Sequence, residues 1–403
     1  MRLSDCPGYW RTWSASTISG FGSYVTRLAV QVLVVVTLHG GAAEVGVVNA
    51  AGWLPYLLFG LVAGVVADRS RRRPVLVGTD LGRAVLLGAL PVLAYAHRLQ
   101  LGTLIAVVSV FGVLSLLNDA AFQSFVPRLV PARLLTAAHA RLDQSDAVAQ
   151  SSGPALAGGL VSLVGAPLAV LVDAASYLVS GLLLTAVRAD EPPARPMSLR
   201  GLRSEVVEGL SWVYRHPMLR PLAVSTHAWF LCTAVTGAIV TPFALQRLHL
   251  TAFGLGVTLA VGGCGGLVGS LFAVRLGSRF GAGRVIAACR LGTGLGWAVA
   301  ALAWAGWSGW LVFGAGQLLL GLALGAENAN EMGYRQAVTP DRLQGRMNAT
   351  MRSLNRAMVV VGAPVGGLLA DALGYRVMLW AAAAGFGAVG VALALSGFRE
   401  ART

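Results

Sequence analysis

Long apolar segments follow one another along the whole chain of 403 residues. The hydrocarbon core of a bilayer is about 30 Å thick and takes roughly 20 apolar residues per helix, so each segment can cross a membrane. Because 56% of the residues are apolar and only 12% are charged, a water-soluble enzyme is excluded. The sequence predicts an all-α integral membrane protein with twelve transmembrane helices, near residues 12–38, 44–67, 75–96, 101–125, 138–164, 167–187, 221–246, 252–275, 284–304, 309–333, 346–370 and 376–397.

Motifs for enzymatic or nucleotide-driven chemistry are missing from the sequence. There is no GxGxxG, no Walker-type loop and no GxSxG, so neither an enzyme nor a nucleotide-driven pump is expected. The four cysteines form no CxxC pair and no cluster with histidine, and no metal or other cofactor is expected. The N-terminal residues 1–16 show no pattern of a removable signal peptide, so the first apolar segment is expected to remain as a span.

The arginines predict the orientation of the chain. All 31 basic residues are arginine, and the net charge is +14. With the N-terminus inside, only Arg98, Arg247 and Arg376 lie outside, Arg27 lies within the first span, and the other 27 lie on the inner side. The positive-inside rule therefore predicts a multi-pass protein of a bacterial-type cytoplasmic membrane with both termini in the cytoplasm. The charge indicates topology, so nucleic acid is not an expected partner and the lipid bilayer is.

An internal repeat divides the chain into two halves. At an offset of 209 residues, the segment Pro131-Ala-Arg133-Leu134 aligns with Pro340-Asp-Arg342-Leu343, and Gly153 aligns with Gly362. Such duplication predicts two pseudo-symmetric six-helix lobes, residues 1–187 and 221–403, with a transport site between them. The polar residues 188–220 are expected to form a cytoplasmic linker that carries an amphipathic helix.

Two motifs resemble those of a known transporter family. After the second span, the sequence Gly64-Val-Val-Ala-Asp68-Arg69-Ser-Arg71-Arg72-Arg73 resembles the gating loop of the major facilitator superfamily, although Arg71 replaces its second glycine. The resemblance implies the twelve-helix fold of that family. It also implies a gating motif formed by Gly64, Asp68, Arg69, Arg72, Arg73 and Asp119, in which Arg72 pairs with an acid on the fourth span, here Asp119.

In the fifth span, Gly153-Pro154-Ala-Leu-Ala157-Gly158-Gly159 resembles the Gly-Pro motif of antiporters and exporters, with Ala157 in place of a glycine. Shorter pieces, among them Thr79-Asp80-Leu-Gly-Arg83, are similar to the branch of enterobactin exporters and macrolide efflux proteins. The resemblance implies that Gly153, Pro154 and Gly158 seal the interface between the lobes. A purely structural kink at the proline stays an alternative.

Polar residues inside apolar spans are the candidates for the transport site, because ionisable groups in a bilayer are costly. The resemblance implies that spans 1, 4, 7 and 10 line the cavity. The candidate residues for substrate and protons are Arg27, Gln31, Asn118, Gln123, Glu327, Asn330 and Glu331. Glu327 and Glu331 are four residues apart on one helix face, so their like charges favour a proton-binding site there. Asp143 and Asp146 are secondary proton sites, while His227 and Asp173 are interpreted as structural polar groups.

These features predict a secondary transporter that exports a small amphipathic compound, such as a drug, antibiotic or siderophore, by alternating access in exchange for protons. Its energy source would be the proton gradient, its ligands the substrate and protons, and it would work as a monomer. If Arg27 lies in the cavity, an acidic substrate is favoured. A proton-coupled uptake symporter and a membrane scaffold or sensor without transport are the alternatives.

Overall fold

A computed structural model describes residues 3–188 and 202–401, and the side chains of residues 4, 7, 61–69, 202, 203 and 205 are outside that description. The described residues fold into thirteen α-helices. They are α1 (Pro7–Val32), α2 (Ala42–Arg69), α3 (Arg72–Tyr95), α4 (Leu101–Leu129), α5 (Leu135–Val164), α6 (Ala166–Thr185), α7 (Leu202–Arg215), α8 (Leu219–Pro242), α9 (Ala252–Phe280), α10 (Ala282–Ala301), α11 (Trp307–Val338), α12 (Asp341–Leu373) and α13 (Tyr375–Leu395).

Twelve of these thirteen helices in the described ranges are long, and they match the predicted spans. Eleven are long and apolar enough to cross a membrane. The other long helix is α10, in which Arg284 and Arg290 lower the mean hydropathy. The all-α membrane fold is therefore confirmed. The remaining helix, α7, has the length and amphipathic pattern expected of the linker helix, and the preceding residues 189–201 lie outside the described part.

The chain forms two compact units, residues 1–39 with 51–198, and residues 40–50 with 199–403. In unit 1, α6 packs on α1 and α3, α5 packs on α1, and α4 packs on α3. The interior between these helices contains Ala15, Leu76 and Phe125, all at most 1% exposed. Apolar side chains of different sizes thus fill the space between the helices of this unit.

Unit 2 repeats the same order of packing. Helix α13 packs on α8 and α10, α12 packs on α8, and α11 packs on α10. The first long helix of each half ends in a π-helical turn, Leu33–Thr37 and Phe243–Arg247. Both turns are followed by a histidine with positive φ, His39 at 52° and His249 at 54°. Equivalent packing and equivalent turns confirm the internal repeat in three dimensions.

The segment of residues 40–50 contains the first turns of α2 and packs within unit 2. Asp371 of α12 accepts hydrogen bonds from the backbone N–H groups of Ala42 at 3.0 Å and Ala43 at 2.8 Å. A carboxylate at a helix N-terminus satisfies free N–H groups and complements the helix dipole. Residues 40–50 therefore pack in unit 2, although the repeat predicts that they belong to the N-terminal lobe of residues 1–187.

Small residues let helices in unit 2 approach closely. On α9, a Cβ added at Gly265 would lie 2.6 Å from the carbonyl oxygen of Leu318 on α11. On α12, a Cβ at Gly366 would lie 2.7 Å from Val235 of α8. Backbones at such short separation gain dispersion contacts that larger side chains would prevent, which is how membrane helices associate.

Candidate functional site

Arg290 is the centre of a buried polar cluster in unit 2. Its side chain extends from α10, is 0% exposed and contacts two other helices. Nε donates to Oε1 of Glu327 at 2.9 Å, and one terminal nitrogen donates to Oε2 of Glu331 at 3.1 Å. The guanidinium also donates to the hydroxyl of Ser225, and to that of Thr226 at 2.8 Å. These contacts join α8, α10 and α11.

Arg335 completes the cluster on α11. It donates to Oε1 of Glu331 at 3.3 Å, one helical turn away, and to Asn348 of α12 at 2.7 Å. The two arginines and the two glutamates therefore balance in charge. Glu327 is 3% exposed, and among the described residues its Oε2 has no hydrogen-bond partner. This oxygen is a place where a proton can bind, because a buried carboxylate oxygen without a donor is costly while the group is ionised.

We call Arg290, Glu327, Glu331 and Arg335 the unit 2 cluster. It can form because α10 lies close to its neighbours through glycines. A Cβ at Gly294 would lie 2.9 Å from the carbonyl oxygen of Ala383 on α13, and one at Gly296 would lie 2.8 Å from Leu320 on α11. This close approach removes Arg290 from solvent and directs its charge towards α11.

A related polar group lies between the third and fourth long helices of unit 1, α3 and α4. Asp80 of α3 is 2% exposed and accepts from Arg83, from Asn118 of α4 at 3.1 Å and from Ser180 of α6 at 2.5 Å. The Arg83 guanidinium lies 4.2 Å from the ring centroid of Tyr177. Asn118 and Glu327, which coincide at the repeat offset of 209, thus both bind charged partners on the third long helix of their own unit.

A cavity of about 180 Å³ opens beside this group. Its lining is mostly polar and comes from α1, α3, α4 and α6: Thr12, Ala15, Ser16, Ser19, Gly20, Ser23, Leu76, Asp80, Arg83, Asn118, Asp119, Phe122, Tyr177, Ser180 and Leu184. The hydroxyls of Ser23 and Tyr177 are hydrogen-bonded at 2.8 Å across it. The cavity is large enough for several waters.

Arg27 has both an aromatic and an acidic neighbour. Its guanidinium lies 5.1 Å from the ring centroid of Tyr24 on the same helix. Asp146 of α5 is within electrostatic range of Arg27, and Gln150 hydrogen-bonds the Tyr24 hydroxyl. Arg27 is exposed and Gln31 is half-buried in the described structure. Asp146, one of the two secondary proton candidates, therefore supplies a carboxylate near Arg27. Asp143 and Asp146 are both exposed on α5.

The described part of the predicted gating motif lies at the start of α3. Arg72 donates to the hydroxyl of Ser124 on α4 at 3.0 Å, and Arg73 donates to the carbonyl oxygens of Leu184 and Thr185 at the end of α6. Asp119 accepts from the Tyr56 hydroxyl at 2.7 Å. The side chains of Gly64, Asp68 and Arg69 lie outside the described residues, so the gating role of this loop, including the Arg72 to Asp119 pair, stays a prediction.

The Gly-Pro motif lies where α5 meets α1. A Cβ at Gly153 would lie 2.7 Å from the Tyr24 Cβ, and Gly158 is also buried. Helix α5 continues through Pro154 from Leu135 to Val164. The motif therefore allows close packing within unit 1, and its role in sealing the lobe interface stays a prediction.

Other predicted residues lie apart from the two polar groups. Asn330 donates to the carbonyl oxygens of Ala273 at 3.0 Å and Ala326 at 2.9 Å, which joins α11 to α9. Gln123 is exposed on α4. His227 bonds Tyr214 of α7 and Asn355 of α12, both at 2.7 Å, as expected of a structural histidine.

Sequence reasoning missed Arg290, Arg83 and Asp80 as site residues. The positive-inside rule assigns Arg290 to the inner arginines that set topology, and the sequence indicates Asp80 and Arg83 only as part of a family motif. One signal was available: all three lie well inside their helices, where a charged group needs a partner. Which partner each one has depends on the packing of other helices and is not visible in the local sequence.

Comparison with known proteins agrees with this architecture. The family model for transmembrane secretion effectors, one of the major facilitator models, matches residues 8–403. The multidrug efflux pump Tap of Mycolicibacterium fortuitum is 28% identical, covering 89% of this chain and 88% of Tap. Macrolide efflux protein A of Streptococcus pyogenes is 21% identical, covering 91% and 90%.

Solved structures of transporters have the same fold. The nucleoside transporter NupG (D323A mutant) superimposes with a TM-score of 0.77 at 12% identity, covering 96% of this chain and 98% of NupG. A bacterial homologue of the iron transporter ferroportin, in its inward-facing state, gives a TM-score of 0.73 at 17% identity and covers 98% of both chains. Together with the family match, these comparisons show that the chain is a transporter of the major facilitator superfamily and belongs to its family of transmembrane secretion effectors.

Proposed function

We propose that the protein exports a small amphipathic compound across a bacterial-type cytoplasmic membrane by alternating access, in exchange for protons. The observation that best supports this proposal is the unit 2 cluster. In it, the carboxylate of Glu327 is buried beside Glu331 and Arg290, and among the described residues one of its oxygens accepts no hydrogen bond. A proton bound at Glu327 would weaken the ion pair with Arg290, and its loss would restore the pair. Binding and release of the proton can therefore favour two different arrangements of the helices that the cluster joins.

Export is favoured over uptake because two relatives are a multidrug efflux pump and a macrolide efflux protein. The energy source in this proposal is the proton gradient, with no cofactor. The substrate class stays broad, because the near neighbours of Arg27 include Asp146 and the pair is balanced in charge. The preference for an acidic substrate, which an isolated Arg27 would provide, is correspondingly weaker.

Transport in membrane vesicles tests the proposal. A panel of antibiotics and siderophores is first screened for growth protection in a host expressing the chain, with a macrolide as the first probe. The protected compound is then offered to inside-out and right-side-out vesicles, with and without a protonophore. We expect accumulation in energised inside-out vesicles, collapse to background with the protonophore, and collapse in Glu327→Gln. Glu400→Gln, which neutralises an exposed acid near the C-terminus, is the matched control and should transport normally.

Two results would contradict the proposal in different ways. Proton-driven accumulation in right-side-out vesicles would indicate an uptake symporter. If no compound of the panel accumulated in either vesicle orientation, while Asp68→Asn or Glu327→Gln lost a protein partner that the wild type binds, a scaffold or sensor without transport would be indicated.

A further inference from the structure

Unit 1 contains a second buried ionic group that the proposed function does not use. The carboxylates of Asp80 and Asp173 and the guanidinium of Arg83 lie within electrostatic range of one another. Asp173 is 0% exposed, and Asp80 and Arg83 are also buried. If both acids were ionised, these three groups would carry one net negative charge inside a membrane-spanning bundle. The unit 2 cluster, by contrast, has equal numbers of positive and negative groups.

The two acids differ in the hydrogen-bond donors that surround them. Asp80 receives donors on both oxygens, from Arg83, Asn118 and Ser180. Among the described residues, Asp173 has only hydroxyl groups as donors: Ser176 donates to Oδ1 at 2.8 Å, and the Thr26 hydroxyl lies close enough to interact with the carboxylate. A carboxylate with a guanidinium and two further donors is well stabilised, whereas one with hydroxyl donors alone is much less so.

Among the residues that the structure describes, the other groups that face Asp173 supply no positive charge besides Arg83. On α6 itself these are Ser176 and Tyr177; on α1 they are Gly22 and Thr26; on α3 they are Asp80 and Arg83. Asp119 of α4, which is exposed, also acts on Arg83 and is a further negative group. The Thr26 hydroxyl can either donate to an ionised Oδ2 of Asp173 or accept from a protonated one. Only the protonated form also removes the surplus negative charge beside Arg83.

We propose that Asp173 is a proton-binding site in unit 1, separate from Glu327, at which the proton compensates the surplus carboxylate beside Arg83. The cavity of about 180 Å³ is lined by Asp80, Arg83 and Tyr177, which are neighbours of Asp173, and not by Asp173 itself. In this proposal a hydronium ion that enters the cavity gives up its proton and remains as a water molecule, and the proton passes through these neighbours to form an O–H bond on Oδ2 of Asp173. The site lies at the eighth residue of the twenty in α6, so Asp173 is not a helix cap.

Infrared spectroscopy of the full-length protein in lipid nanodiscs tests this site without any substrate. The band of a neutral carboxylic acid is followed from alkaline to mildly acidic buffer in wild type, Asp173→Asn, Asp80→Asn and Glu327→Gln. Size-exclusion chromatography verifies that each variant is monodisperse. We expect a neutral carboxyl band in wild type at neutral pH that Asp173→Asn removes and Glu327→Gln leaves in place.

Asp80→Asn is the sharper variant, since it tests charge balance and does not depend on Asp173→Asn folding. Of the buried carboxylates that the structure describes next to Arg83, this variant leaves only Asp173, so Asp173 should ionise and its band should disappear at neutral pH. A band that stays unchanged in Asp80→Asn, or an identical band in Asp173→Asn and wild type, would overturn the proposal. Neither result affects the vesicle experiment, because that experiment depends on Glu327.

Discussion

Arg290 illustrates how a single buried charge can organise a membrane bundle. Its guanidinium contacts hydroxyls from α8 and carboxylates from α11 while no part of the side chain is exposed. An arginine cannot lose its proton under ordinary conditions, so the surrounding groups must compensate the charge. The same reasoning applies in unit 1, where Arg83 has one strongly bound acid, Asp80, and a second within electrostatic range, Asp173.

Replacing Arg290 by glutamine should destabilise the protein strongly. Removal of one partner of a buried ion pair typically costs about 3–5 kcal/mol, because the other charge stays buried without compensation. The double variant Arg290→Gln with Glu327→Gln should recover much of this loss. The apparent melting temperature in detergent measures both effects. Arg399→Gln, at an exposed arginine, is the control. Equal melting of Arg290→Gln and wild type would contradict the importance of the pair.

Helix pairs in both units are positioned by small residues at their points of closest approach. In unit 1, Gly153 of α5 contacts Tyr24 of α1, and in unit 2, Gly265 of α9 faces the α11 backbone. Lipid tails are as apolar as leucine, so close packing contributes much of the association of such helices. Because Arg27 and Tyr24 lie on α1 and their partners Asp146 and Gln150 lie on α5, this packing also brings together one of the candidate polar sites.

A methyl group at Gly153 should force α5 away from α1. The added Cβ would lie 2.7 Å from the Tyr24 Cβ, which a side-chain rotation cannot relieve. We expect Gly153→Ala to lose about 1–3 kcal/mol, as is typical of overpacking, and to lower the apparent melting temperature. Gly88→Ala on α3 is the matched control, since a Cβ there meets no atom within 4 Å. That substitution should be neutral or gain up to about 1 kcal/mol. Unchanged melting in Gly153→Ala would contradict the close contact.

Across the whole molecule, the two units repeat one arrangement of six long helices. Each has a polar group between its third and fourth long helices, around Asp80 and Asn118 in unit 1 and around Arg290 and Glu327 in unit 2. The residues that supply the charge differ between the halves. The two halves therefore share the position of a buried polar group, between the third and fourth long helices, but differ in which ionisable residues form it.

The predicted orientation can be tested with single cysteines in a background in which the four native cysteines are replaced. Arg98 and Arg133 are both exposed, at the two ends of α4. Arg98→Cys should react with a membrane-impermeant thiol reagent in intact cells, whereas Arg133→Cys should react only after permeabilisation. This follows from the excess of arginine expected on the cytoplasmic side. The reverse pattern of labelling would mean that the termini are outside.

For some of the site residues predicted from the sequence the neighbouring groups could be predicted as well, and for others they could not. Glu327 and Glu331 were expected to share a helix face, because a spacing of four residues is a local property of a helix. Their common partner Arg290 is 37 residues from Glu327 and on another helix, so no local pattern connects them. Asn330, adjacent to Glu331 in sequence, points to α9 and joins helices there.

The sequence by itself determined the all-α membrane fold, the number and order of the long helices and the internal repeat. These follow from hydropathy, length and periodicity, which act along the chain and do not depend on distant contacts. Only the tertiary structure decided that Arg290 pairs with both glutamates and that, together with Arg335, it balances their charge. It also decided that Asp146 lies near Arg27 and that Asp173 lies beside Asp80 and Arg83. The physical reason is that the stability of a buried charge depends on which groups surround it in space, and helix packing brings those groups from distant parts of the chain.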